Sequence, residues 1–244
     1  MSPVFKAEHL KFYFGATPVL KDTSFELFPG EALIVAGRSG CGKSTFLEIC
    51  AGLLHPQSGK IFWEGKCVAE LTREEFTAAR QRAGFVFQKH ALIHNFTIFD
   101  NIALPLRYHT AIAERDIRVR VNRLMEELGL FGVDHKFPNE LSLGQAKCAA
   151  LARALIMDPC IVFADEPTAW MDPYTGACIA RVINNIRLEK HPVIIISCNE
   201  AAMIRSMRCP VKILDNGEFV DIHEGQTLAG EPRPVMLEIV QEML

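Results

Sequence analysis

Residues 37–45 read Gly37-Arg38-Ser39-Gly40-Cys41-Gly42-Lys43-Ser44-Thr45. The stretch fits the phosphate-binding template G-x-x-x-x-G-K-[ST], and its flanks are those the template requires. Ala32 to Ala36 is a short apolar run bounded by Gly30 and Gly37, the pattern of a buried strand. From Ser44 to Leu54, apolar residues at 46, 47, 49, 50, 53 and 54 recur at helical spacing. Strand, glycine loop and helix in that order predict an α/β fold with a phosphate site at a strand end. Glycines at 37, 40 and 42 permit backbone conformations that a side chain would block. The loop's N–H groups then converge on phosphate oxygens at the positive end of the following helix. In such a loop Lys43 reaches the β- and γ-phosphates of a nucleotide, and the Ser44 hydroxyl ligates Mg²⁺.

The rest of the composition narrows the class. The chain has 244 residues, enough for one large domain or two small ones with a full core. A formal net charge of −3 gives no footprint for nucleic acid as a partner. Eight cysteines are scattered, none in a CxxC pair, and Cys41 sits inside the phosphate loop. That distribution predicts reduced thiols in a cytosolic protein rather than a disulfide frame or a zinc site. No secretory h-region opens the chain, and apolar runs such as Val193 to Ile196 are far shorter than the ~20 residues that span a bilayer. A role at a membrane would therefore need another chain to cross it.

Two alternating segments, Val4 to Phe14 and Val19 to Phe28, predict strands of a small sheet joined by a turn at 15–18. Ile61 to Lys66 predicts a strand and turn. Thr72 to Arg82 predicts a helix capped by Thr72 with Glu75 at the capping-box position. Gly84 to Gln88 is again strand-like. From Thr97 to Met157 the pattern is helical, with segments at 98–103, 112–128 and 144–156. Ile117, Val121, Leu124, Met125 and Leu128 form one apolar stripe of the kind that packs into a core. Strand signals return at Cys160 to Ala164 and Val193 to Ser197, with a helix at 176–190 between them. Val211 to Val220 predicts a hairpin turning at Asn216-Gly217. The layout is a parallel α/β core split by a helical insertion at about residues 90 to 157.

Two further motifs follow. Ile161 to Ala164 is an apolar strand that ends in Asp165 and Glu166, and the carboxyl ends of parallel strands face the ligand crevice. Asp165 is then placed beside a metal and Glu166 to polarise a water against the γ-phosphate. Leu141-Ser142-Leu143-Gly144-Gln145 precedes a helix through Leu155. With these in hand the chain resembles the ATP-binding subunit of an ABC transporter. The phosphate loop, Gln88 after a strand, the LSxGQ-like segment, Asp165-Glu166 and a following Asp172 occur in that family's order over about residues 4 to 220.

The resemblance implies a P-loop NTPase fold: a RecA-like core with a small antiparallel β subdomain, plus an inserted α-helical subdomain. It implies a single domain over 1–244, with residues 1–89 and 158–225 as core and β subdomain, 90–157 as the helical subdomain, and 226–244 as a tail. Phe14 would stack on adenine, although the same residue also fits as strand core. Gly37 to Thr45 would bind ATP, and Ser44, Gln88 and Asp165 would hold Mg²⁺. Glu166, Lys43 and Gln88 would serve catalysis, together with Asn199. Ser142, Gly144 and Gln145 would contact the γ-phosphate bound by a second ATPase protomer, with the helix dipole aimed across the interface. Asp172 would lie in the loop that crosses between the two sites. The implied partners are that protomer and transmembrane permease subunits, at the cytoplasmic face of the inner membrane.

Three positions depart from the family pattern. Leu143 replaces the first glycine of the signature, and leucine disfavours a positive φ, so an altered loop is expected. Ala169-Trp170-Met171-Asp172 is bulkier than the small residues usual in that loop. Asn199 stands where the switch histidine belongs. Asparagine donates a hydrogen bond but carries no charge, which predicts slow but not absent hydrolysis. The segment from Phe99 to Thr110 and the approach Phe137 to Ser142 are similar to the ATPases of Mla/Mce-type systems, which move lipids across the bacterial envelope. On that reading a lipid-binding accessory protein is a further partner. Lipoprotein-release and division-type ATPases share similar segments. A low-turnover dimerisation switch and a heterodimer partner stay open as alternatives. The amphipathic stretch from Pro234 to Leu244 is expected to pack on its own domain or on a partner.

Overall fold

The computed structural model describes residues 2–221, and the tail expected at 226–244 lies outside the described residues. Strand β1 (Phe5–Phe14) pairs antiparallel with β2 (Thr17–Leu27), Phe5 opposite Leu27 and Phe14 opposite Thr17. Next, β3 (Ala32–Ala36) is buried throughout and leads through the phosphate loop into α1 (Lys43–Cys50). Strands β4 (Ser58–Trp63) and β5 (Lys66–Cys67) complete a four-stranded antiparallel sheet in the order β2-β1-β4-β5. Helix α2 (Arg73–Gln81) starts on the expected capping box. Thr72 Oγ1 accepts from the Glu75 N–H at 3.2 Å, and the Glu75 carboxylate accepts from the Thr72 N–H at 2.9 Å. After β6 (Ala83–Val86) come three helices, α3 (Ile98–His109), α4 (Glu114–Glu127) and α5 (Leu143–Leu155). The chain then returns to the main sheet through β7 (Ile161–Asp165), α6 (Pro173–Lys190), β8 (Val193–Ser197), α7 (Ala201–Met207), β9 (Val211–Asp215) and β10 (Glu218–Asp221).

The main sheet has the order β10-β9-β3-β8-β7-β6, parallel except for the β9–β10 hairpin. Its central strands are almost wholly Val, Ile, Leu, Ala and Phe, closed by Asp165 on β7 and Ser197 on β8, because both faces are covered. Successive side chains alternate between the faces. Leu33, Val35, Phe163 and Ile195 pack with Phe46 and Leu47 of α1 and with Phe5 and Trp63 of the antiparallel sheet. Ile34, Val162, Ala164 and Ile196 face the other way, into a core built with α3 to α6. The 117–128 stripe lies in that second core, with Val121 fully buried. Each such side chain contributes about 1.5–3 kcal/mol of transfer free energy.

Two local readings differ from expectation. Helix α1 ends at Cys50 rather than Leu54, because Gly52 turns the chain at φ 65° and the Leu53 N–H wraps back to the Glu48 carbonyl at 2.8 Å. Leu53 is left exposed. Helix α7 was not anticipated; it is only seven residues long, too short for periodicity to declare it.

Helix α5 is seated on β6 through a close approach at Gly84, where a Cβ would lie 2.4 Å from the Ala154 carbonyl oxygen. The Ala154 carbonyl is backbone, so Gly84→Ala must shift the main chain. The expected cost is about 2 kcal/mol, a fall in Tm of roughly 4–8 °C. Calorimetry of the variant checks it, and an unchanged Tm would show that the helix yields freely.

Candidate active site

The strand order β3-β8-β7-β6 brings four chain segments to one sheet edge. These are the phosphate loop after β3, Cys198-Asn199 after β8, Asp165-Glu166 at the end of β7, and Gln88 two residues past β6. Ligands bind at this end of parallel strands.

Within the phosphate loop, Gly42 caps α1 at φ 107°, and a Cβ there would lie 2.5 Å from Val19 Cγ1. Only glycine tolerates both constraints. Arg38, Ser39, Gly40 and Ser44 are exposed and Thr45 is half-buried. Burial pushes the half-buried Cys41 thiol up, which keeps it protonated. Lys43 is the opposite of a surface lysine, at 5% exposed. Its Nζ donates to the carbonyls of Gly37 at 2.8 Å and Arg38 at 3.2 Å, and lies 3.7 Å from Glu166 Oε1.

The Glu166 carboxylate is gripped from a second side by Gln88, whose Nε2 donates to Oε2 at 2.7 Å. Glu166 sits at φ 43°, a left-handed conformation that is costly for a side-chain-bearing residue. Its N–H donates to the Ser197 carbonyl at 3.0 Å and the Ser197 hydroxyl at 2.9 Å. The same hydroxyl donates to Asp165 Oδ1 at 2.5 Å. Asp165 is itself buried. Asn199 Oδ1 accepts the Gly37 N–H at 3.0 Å, which ties the end of β8 to the first glycine of the loop. The Ser44 hydroxyl, the Gln88 amide and the Asp165 carboxylate supply hard oxygen donors, the set that suits Mg²⁺.

The signature segment is a helix N-terminus. Ser142 Oγ accepts from the Gln145 N–H at 3.3 Å, and Gln145 Oε1 accepts from the Ser142 N–H at 3.1 Å, a capping box on α5. Leu143 is the first residue of the helix and is not at positive φ, so the altered loop expected there does not arise. Leucine is a good helix former at that position. Its side chain is instead exposed, beside Trp170 and Tyr174 along a groove of about 500 Å³ that Gly144 and Asp172 also line. Trp170 is 67% exposed, at φ 62°. Asp172 caps α6, accepting from the Thr175 hydroxyl at 2.6 Å and N–H at 3.0 Å, and these bonds hold its carboxyl below the usual range. Phe14 is not core: it is 59% exposed, edge-on to Phe12, on the strand pair that carries Val19 to Gly42.

Ser197 and Lys147 were missed as site residues. Ser197 could have been found as a polar residue closing an all-aliphatic strand. Lys147 could have been found as a lysine among Ala146, Ala149, Ala150 and Leu151, on a helix with no polar face at that turn.

Residues 20–169, more than half of the chain, match the family model described as ABC transporter. The chain belongs to the ABC transporter family and carries its ATP-binding domain. It is 33% identical over 227 residues to the probable ribonucleotide transport ATP-binding protein mkl of Mycobacterium leprae, covering 93% of this chain and 65% of that protein. It is 32% identical over 253 residues to the methionine import ATP-binding protein MetN of Campylobacter jejuni, covering 97% of this chain and 75% of that protein. The chain thus spans less than two thirds of the length of the mycobacterial relatives, 65% and 63%. The dimeric ABC transporter cassette MJ0796 is similar in structure, with TM-score 0.81 and 29% identity, covering 88% of this chain and 96% of that one. Its post-hydrolysis state bound to ADP and Pi has TM-score 0.81 and 27% identity, covering 90% and 99%.

Proposed function

We propose that the chain binds MgATP at the phosphate loop, hydrolyses it slowly within a two-protomer sandwich, and so drives a transmembrane permease at the cytoplasmic face of a membrane. The observation that carries this reading is the Glu166 carboxylate held by Gln88 at 2.7 Å and facing the buried Lys43 ammonium at 3.7 Å. A carboxylate so oriented polarises a water toward the γ-phosphorus. The new P–O bond forms as the bond to the β–γ bridging oxygen breaks, and Glu166 takes the water's proton. Lys43 binds phosphate oxygens and Gln88 orients Glu166. Ser44, Gln88 and Asp165 would hold Mg²⁺, which would supply neutralisation of the phosphate charge. Phe14 offers an exposed ring to the adenine, and Arg38 to Thr45 cradle the phosphates. Ser142, Gly144 and Gln145 at the start of α5 face the nucleotide of the second protomer, with Asp172 in the crossing loop. The exposed Leu143, Trp170 and Tyr174 give that face apolar surface for the partner to cover.

Asn199 already spends its oxygen on the Gly37 N–H. It offers the γ-phosphate at most a neutral donor, where an imidazolium would bring charge. Asn199→His is therefore expected to raise kcat by about tenfold, less than the roughly 10²–10³ that a whole transition-state donor contributes, because the asparagine already offers a neutral one. An unchanged phosphate-release rate at saturating ATP would refute the reading that Asn199 slows hydrolysis.

The cargo proposal rests on residues 99–110 and 137–142, whose resemblance to the Mla/Mce-type ATPases favours a lipid and a lipid-binding accessory protein. Asn101 fixes the start of that region: fully buried, it exchanges hydrogen bonds with both sides of the Ile93 peptide unit at 2.7 and 3.0 Å. The deciding experiment co-purifies the full chain with its permease and measures ATP turnover against lipid transfer in proteoliposomes. Turnover coupled to ribonucleotide or methionine uptake instead would replace the lipid assignment. ATP binding without turnover, alone and with the permease, would favour a dimerisation switch.

A further inference from the structure

Lys147 is 2% exposed, one turn into α5 from the Ser142–Gln145 cap. An ammonium taken out of water must be fully hydrogen-bonded to be tolerated. Its Nζ donates to the Glu166 carbonyl at 3.0 Å and the Ala169 carbonyl at 2.8 Å, and it stands 5.7 Å from the centroid of the Trp170 ring. The two ends of the loop it spans, Glu166 and Trp170, are both at positive φ, 43° and 62°. Neither is glycine, so both conformations persist only if something over-determines them. At Glu166 the clamps are complete: Ser197 takes the N–H and Lys147 holds the carbonyl.

We propose that Lys147 is a positioning residue that sets the orientation of Glu166 and joins it rigidly to the signature helix α5. This deepens the hydrolytic reading above and rests on it. One ammonium connects the helix that faces the partner's nucleotide to the backbone of the residue that activates water over the chain's own nucleotide. A shift of α5 on dimer closure is thereby transmitted to Glu166 through the hydrogen bond to its carbonyl, while the bond to Ala169 carries the other end of the loop. Burial pushes Lys147 down from the ordinary lysine range, while Glu200, Glu166, Asp165 and Cys198 around it favour the charged form.

Lys147→Met keeps the buried stem and removes the donor. In the full chain, kcat is expected to fall about 10²-fold while the Kd for MgATP stays within about twofold. A second readout does not depend on turnover. The chain has two tryptophans, and Trp63 is buried, so acrylamide-quenchable emission belongs to Trp170. Losing the cation beside its ring and the anchor at Ala169 is expected to increase that quenching. Wild-type kcat with wild-type quenching in Lys147→Met overturns the proposal, as does a loss confined to Kd. If Lys147→Met does not fold, Lys147→Leu, which also lacks a donor, is judged by the same two readouts against the same outcomes. Glu166→Gln measured in parallel separates the two levels. If Glu166→Gln turns over at the wild-type rate, the hydrolytic reading itself falls. If Glu166→Gln is inactive but Lys147→Met is not, the reading stands and the positioning role falls.

Discussion

Glu166→Gln is expected to lower the rate of phosphate release by about 10²–10⁴-fold, the contribution of a positioned general base, while MgATP binding survives. The substitution keeps the shape of the side chain and removes its capacity to take a proton. The left-handed backbone at 166 is set by Ser197 and Lys147 acting on main-chain atoms, so an amide side chain does not release it. The donor from Gln88, now at 2.7 Å from Oε2, finds the carbonyl oxygen of the new amide after a flip. Lys43 loses a negative charge at 3.7 Å but keeps its two carbonyl acceptors, so the loop that holds phosphate is undisturbed. ATP bound but not consumed should then accumulate in the closed dimer, visible as an ATP-dependent doubling of mass by light scattering. Retention of more than about a tenth of the wild-type rate would remove Glu166 from the general-base role.

The same residues show what a sequence can and cannot disclose here. The sheet was legible because its central strands are short and almost wholly apolar, and because the helix after the phosphate loop is amphipathic. Capping signals were legible where two side chains declare each other locally, as at Thr72 with Glu75. The same logic governs Ser142 with Gln145, and it overrides the expectation drawn from Leu143. A residue already inside a capped helix has no need of the conformation that glycine alone reaches cheaply. What stayed hidden depends on contacts across the fold. The hold of Gln88 on Glu166 spans 78 positions, that of Asn199 on Gly37 spans 162, and that of Lys147 on Glu166 spans 19. No periodicity encodes such pairs. Phe14 was undecidable on one strand because alternation assigns a face but not what covers it, and only the assembled sheet leaves its ring exposed. The asparagine at 199 was visible as a departure. Its consequence was not, since the oxygen is engaged by a backbone N–H that only the β3–β8 pairing brings near.

Lys43→Ala should be the variant with the largest effect on binding. The ammonium is 5% exposed and sits where loop N–H groups and the start of α1 already favour anions, so its charge acts in a partly dry setting. Truncating one partner of a buried, hydrogen-bonded charge pair costs about 2–5 kcal/mol, which raises the Kd for MgATP by roughly 30- to 3,000-fold. Two separable effects contribute. The first is the lost charge. The second is lost preorganisation: Nζ now gathers the carbonyls of Gly37 and Arg38 at 2.8 and 3.2 Å, and without it those oxygens turn toward the phosphates they should leave free. Lys43→Met, which keeps the buried stem and loses only the donor, divides packing from charge. Calorimetric titration with MgATP should find both variants weak, and thermal melts should find Lys43→Ala the less stable of the two, because it alone leaves a void beside Gly42. If Lys43→Met binds MgATP as tightly as the wild type, the lysine serves only to hold the loop. The phosphate site would then rest on backbone N–H groups and the α1 dipole, and the link from Lys43 to Glu166 would be a resting contact with no part in recognising the nucleotide.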